Sequence, residues 1–100
     1  MRDLIIRLID IDLVRLEEKY LNWFEGHRID PVEVSLFTSF NCTEKRKYWL
    51  VTNHKKNSES NYRIIFDGRE KKFGLEMETE SGENVMMGLY GSFFETIRSM

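Results

Sequence analysis

Few residue types in this chain can do chemistry, and those few sit apart. His27 and His54 are its two histidines, and Cys42 is its one cysteine. A thiol becomes a nucleophile when a neighbouring base or cation lowers its pKa, yet Cys42 and His54 are close in sequence only, and the segments that hold them read as loops. The run FDGREKK, residues 66–72, presents Asp67, Glu70 and Lys72, a faint echo of the acid, acid and lysine set of metal-dependent nucleases. Acids so close in sequence do not come from adjacent strands, so the echo carries little weight. No glycine-rich phosphate loop, dinucleotide fingerprint or zinc-ligand spacing occurs. The sequence therefore predicts a protein that is not an enzyme and that uses neither a cofactor nor a metal.

What remains is charge. The stretch FGLEMETESGENVMMGLYGSFFETI, residues 73–97, holds five glutamates and no lysine or arginine. Lysine plus arginine against aspartate plus glutamate count 5 against 8 over residues 1–43, 9 against 4 over 44–72, and 1 against 5 over 73–100. The net charge of −2 thus hides a strong segregation along the chain, the kind of field that selects charged partners.

In a strand, Glu76, Glu78 and Glu80 share one side, about 7 Å apart, a spacing for water or a partner and not for chelating one ion. Their surroundings depend on the turn at Ser81-Gly82. A two-residue loop sets Glu80 against Glu83, a repulsive pair. A three-residue loop of Glu80, Ser81 and Gly82 puts glycine where a left-handed residue is favoured. It also pairs Thr79 with Glu83, Met77 with Val85, Leu75 with Met87 and Phe73 with Leu89. The second register gathers the apolar side chains on one face and leaves Glu76, Glu78, Met86 and Tyr90 on the other, with Asn84 at its end. Acids mixed with an exposed methionine and tyrosine suit a basic partner protein. The candidate partner-binding residues are Glu76, Glu78, Glu80, Met86 and Tyr90; Glu83 belongs to the turn, and Glu95 is the reciprocal of Ser92 in a helix cap.

The basic segment supports an alternative. Lys45, Arg46, Lys47, Lys55, Lys56 and Arg63 surround Tyr48 and Trp49, and cations with rings can track phosphates and stack bases. A nucleic-acid-binding module using residues 45–63 is the second reading, opposed by the acidic end of the chain and a pI near 5.7.

These residues need elements to position them. Leu4, Leu8, Ile11, Leu16, Tyr20, Leu21 and Phe24 recur at helical spacing, which predicts an N-terminal helix ending near Gly26. Residues 4–11 could instead be a strand, with Asp10 or Asp12 capping a helix that follows. Beyond HRIDP the period becomes two: Val32, Val34, Leu36, Thr38 and Phe40 predict a strand. KYWLVTN, YRIIFDG, KFGLEMET and NVMMGLYG predict four more, with the polar tract NHKKNSESN as a hairpin loop. Ser92 and Glu95 have capping-box spacing before a short terminal helix. Trp23, Phe24 and Trp49 are expected in the core.

One hundred residues with 41% hydrophobic composition and one proline make a single globular domain, residues 1–100. A lone cysteine fits a reducing cytosol. Arg2, Asp3, Arg7 and Asp10 break up the opening apolar run, so it is neither a signal peptide nor a membrane span. The expected fold is α+β: an N-terminal helix, an antiparallel meander of about five strands, and a short C-terminal helix on the same core side.

The segment FGLEMETESGENVMMGLYGSFFETI, about a quarter of the chain, also resembles the end of small immunity proteins of bacterial toxin systems, including those of contact-dependent growth inhibition. There a strand pair with a glycine-and-aromatic run precedes a final short helix. The resemblance implies a non-enzymatic cytosolic protein that binds the C-terminal toxin domain of its cognate system, often a nuclease, and neutralises it. An acidic face fits the basic cleft of a nuclease, with carboxylates standing in for phosphates.

Overall fold

The computed structural model describes residues 1–38, 43–53, 62–79 and 82–100. Phe40, Cys42, His54, Lys55, Lys56, Glu80 and Ser81 lie outside the described residues, and with them most of the NHKKNSESN tract.

The order of elements is α1 (Arg2–Leu13), α2 (Glu18–His27), β1 (Arg28–Phe37), β2 (Lys45–Thr52), β3 (Tyr62–Asp67), β4 (Lys72–Glu78), β5 (Asn84–Gly91) and α3 (Phe93–Arg98). The fold is α+β, and the five strands form an antiparallel meander. The meander curls until β1 meets β5 in parallel at Phe37 and Val85, which closes it into a barrel.

The N-terminal helix is interrupted. Apolar spacing alone would carry it past Ile11, but the buried positions are Ile5, Ile9 and Asp12, one residue off that stripe, and Ile11 is exposed. After Leu13 the chain turns through two tight bonds, from the Arg15 N–H to the Asp12 carbonyl and from the Leu16 N–H to the Leu13 carbonyl. This turn drops Leu16 into the core and lets α2 start on a new line. The helix then runs through Gly26 to His27, and β1 begins at the next residue, earlier than its alternating pattern indicated.

Both faces of the sheet are buried, each by a different means. Val51, Ile64, Phe66, Phe73 and Leu75 pack with Ile5, Ile9, Leu16 and Phe24 of the N-terminal segment and with Phe93 and Ile97 of α3. Rings meet at the centre of this cluster, with Phe24 to Phe93 at 4.8 Å and Phe73 to Phe93 at 5.6 Å. Trp23 and Trp49 are half-buried at its margin. Leu36, Tyr48, Leu50 and Ile65 form a second cluster, with Ile29, Val34, Met86 and Leu89 packed against it. Among the described residues no helix contributes to the second cluster, and the curvature of the sheet turns it away from water.

Candidate functional site

The last hairpin keeps the expected turn and loses the expected faces. The Thr79 N–H donates to the Glu83 carbonyl at 2.7 Å, the Gly82 N–H to the Thr79 carbonyl at 2.9 Å, and Gly82 has φ +86°. Met77 opposes Val85, as the three-residue loop requires. Beyond that, one extra residue on β5 shifts the register between Leu75 and Glu76, and another irregularity follows between Phe73 and Gly74. Leu75 therefore faces Gly88 instead of Met87, and Phe73 faces Gly91 instead of Leu89. Such bulges add twist and curvature to a strand. Here they turn Leu89 into the second cluster, and they separate Tyr90 from the acids.

Glu76 departs furthest from expectation. It opposes Met86, as predicted, but it is 0% exposed. The barrel buries the face on which it stands, so Glu76 is not an outward contact residue. Its carboxylate takes two hydrogen bonds from Arg63 on β3, Nε to Oε2 at 2.7 Å and Nη2 to Oε1 at 2.8 Å. Arg63 also donates to Asn53 Oδ1 at 3.4 Å. Its bonds to Glu76 raise the Arg63 pKa above the ordinary value against the opposing effect of burial, and the charges of Glu76 and Glu78 add to the rise. A planar guanidinium matched to a carboxylate is the geometry in which a buried charge is tolerated. Among the described residues no buried side-chain polar atom lacks a hydrogen bond.

The other expected site residues fall in different places. Glu78 is exposed at the end of β4, opposite Asn84. Met86 is half-buried against the second cluster. Tyr90 is 42% exposed, and its ring lies back over Gly88, 3.9 Å from where a Cβ would stand. Met87, not singled out from sequence as a site residue, is also exposed. The exposed residues of the hairpin are thus Glu78 and Glu83 near its turn and, apart from them, Met87 and Tyr90 further along β5.

The meander also sorts charge by position. Arg69, Lys71 and Lys72 sit on the turn from β3 to β4, at the other end of β4 from Glu78, while Lys45 and Arg46 open β2, where Lys45 pairs with Phe37, the residue that closes the barrel onto Val85. Arg63, read from sequence as part of one basic segment, belongs to neither group, because Glu76 consumes it. A short turn over residues 68–71 sets Arg63 opposite Glu76, and this was the signal from which the pair could have been found.

The Cys42 and His54 pair lies outside the described residues, and the acids of the FDGREKK run are not gathered as a site. Asp67 is buried and tied to its own turn, where Oδ1 accepts the N–H groups of Arg69 at 2.8 Å and Glu70 at 3.3 Å. His27 ends α2 with its ring stacked on Trp23 at 4.3 Å. Among the described residues no three His, Cys, Asp or Glu side chains gather as a metal site. An open depression on α1 is lined by Asp3, Ile6, Arg7, Asp10 and Ile11, with no serine, threonine, cysteine, histidine or lysine in its lining. No helix among the described residues is long and apolar enough to cross a membrane. No protein-family model matches the chain, and no curated protein or solved structure matches it either.

Proposed function

We propose that the chain is a non-catalytic inhibitor that acts in the cytosol by binding a basic toxin domain of nuclease type, as immunity proteins do. The supporting observation is the way the Arg63–Glu76 pair pins β4 to β3 two residues before Glu78. An acid held on a rigid strand loses little entropy when it meets a cation, and this favours binding. Glu78 and Glu83 supply charge complementarity and on-rate, while Tyr90 and Met87 supply the apolar contact that a merely solvated face would not need. Glu80 extends the same acidic end in sequence. Glu76 and Met86 act from behind this surface, as its support.

The test is surface plasmon resonance with the toxin domain encoded beside this chain. The Glu78→Lys, Glu83→Lys double variant is expected to weaken binding at least tenfold, chiefly through slower association at low salt, and Tyr90→Ala to speed dissociation. Unchanged affinity in both variants would remove this surface from the proposal. No binding by the unaltered protein would remove the immunity reading itself.

A further inference from the structure

The cations at the start of β2 and on the β3–β4 turn form a second exposed cluster. Lys45 and Arg46 come from the start of β2 and Arg69, Lys71 and Lys72 from the β3–β4 turn; all five are exposed, and the antiparallel pairing brings the two segments together. With β3 between them, β2 and β4 stand about 10 Å apart. Tyr48, which is 2% exposed, lies beneath the two arginines. The Arg69 guanidinium is 5.9 Å from the Tyr48 ring centre, and Lys45 lies over Phe37 at 4.7 Å. Both contacts set the charged group itself over a ring face, which helps to hold it in place.

The nearby acids engage these cations loosely. Glu44 approaches Arg46 at 3.9 Å, and Asp67 approaches Arg69 Nε at 3.5 Å, both longer than a charge-assisted hydrogen bond. Lys47 points elsewhere, toward Glu33 at 3.7 Å. Guanidinium groups on neighbouring strands, flanked by lysines, form a fork suited to phosphate oxygens. The exposed Met1 reaches the turn at Gly68, 3.2 Å from where a Cβ would stand, but neither cationic segment itself carries an exposed large hydrophobic residue, whereas a protein interface or a membrane contact calls for a broader apolar area. Tyr48 is buried, Phe37 is half-buried beneath Lys45 and Trp49 is half-buried beside Gly68, so charge and not base stacking dominates here.

We infer that Arg46 and Arg69, flanked by Lys45, Lys71 and Lys72, bind the phosphate backbone of a nucleic acid without regard to its sequence. The inference is independent of the acidic hairpin. It also replaces a continuous basic segment of residues 45–63 with two separate segments that form one exposed cluster.

Fluorescence anisotropy with a labelled single-stranded RNA and with a labelled DNA duplex tests it. If about four phosphates are contacted, affinity for the single strand falls about 50-fold between 50 and 200 mM salt. Arg46→Glu with Arg69→Glu is expected to weaken binding at least tenfold at low salt, equally for unrelated sequences. Because Arg69 also touches the Asp67 turn, Lys71→Glu with Lys72→Glu serves as a second variant, expected to lose several-fold, and Lys19→Glu on α2 as a control that binds normally. Three results overturn the inference: no binding of either probe at 50 mM salt, binding that both double variants retain in full, or binding only to vesicles of anionic lipid.

Discussion

Arg63 and Glu76 stand directly opposite each other on β3 and β4, joined by two hydrogen bonds of 2.7 and 2.8 Å, with the carboxylate wholly out of solvent. Removing one partner strands the other charge. Arg63→Ala and Glu76→Ala should each cost about 3–5 kcal/mol, whereas an Arg63→Met, Glu76→Leu double variant should recover most of that loss. Urea unfolding of the three proteins measures this. Equal losses in the single and double variants would show that the pair is not the source of the stability.

Tyr48 gives a pH dependence. Burial, followed by the charge of Asp67, raises its pKa above 10.0, against opposing contributions from Arg69 and Arg46. A group whose folded pKa is raised keeps its proton longer when folded, so its contribution is complete below the unfolded value and is lost as pH climbs through the folded one. Stability should therefore decline above about pH 10. Tyr48→Phe should flatten that decline, and one late-ionising phenol should vanish from an absorbance titration.

Asp12 acts far from its own helix. From the end of α1 its Oδ2 accepts the N–H of Phe94, at 3.0 Å, in the first turn of α3, while Oδ1 accepts from Arg15 at 3.2 Å. Asp12→Ala should cost about 1–2 kcal/mol, a fall of roughly 4–16 °C in Tm. Asp12→Asn, which keeps an acceptor, should cost less than half of that.

Two glycines in the last hairpin should respond in opposite ways. A Cβ on Gly74 would stand 2.2 Å from the Gly88 carbonyl oxygen, whereas a Cβ on Gly88 would meet only the Tyr90 ring at 3.9 Å. Gly74→Ala should destabilise by about 3 kcal/mol, and Gly88→Ala should stay within about 0.5 kcal/mol of the parent. Thermal melts of the pair decide it, and similar melting temperatures would contradict the close approach of β4 to β5.

The elements were legible because their signals are local. Alternation marked the strands, Ser92 accepts the Glu95 N–H at 3.1 Å as the cap spacing foretold, and Gly82 takes the left-handed position of the three-residue turn. Curvature was not legible. A flat two-layer arrangement leaves one sheet face outward, which makes Glu76 a partner-binding residue; closure of the barrel buries that face and makes Arg63 necessary. The bulges that moved Leu89 inward and Tyr90 away from Glu76 answer to the same curvature, which no single strand encodes. Asp12 eluded a local reading for a different reason: its partner is 82 positions away.

That long-range bond also orders events in time. α1 is the first element of the chain and α3 the last, yet the carboxylate that closes one waits for a backbone amide of the other. Until residue 94 arrives, the aromatic centre built by Phe24, Phe73 and Phe93 also lacks its last ring. The helical layer is therefore completed only by the last residues of the chain, and a growing chain that has finished its sheet still lacks the share of contacts that α3 makes with its first helix.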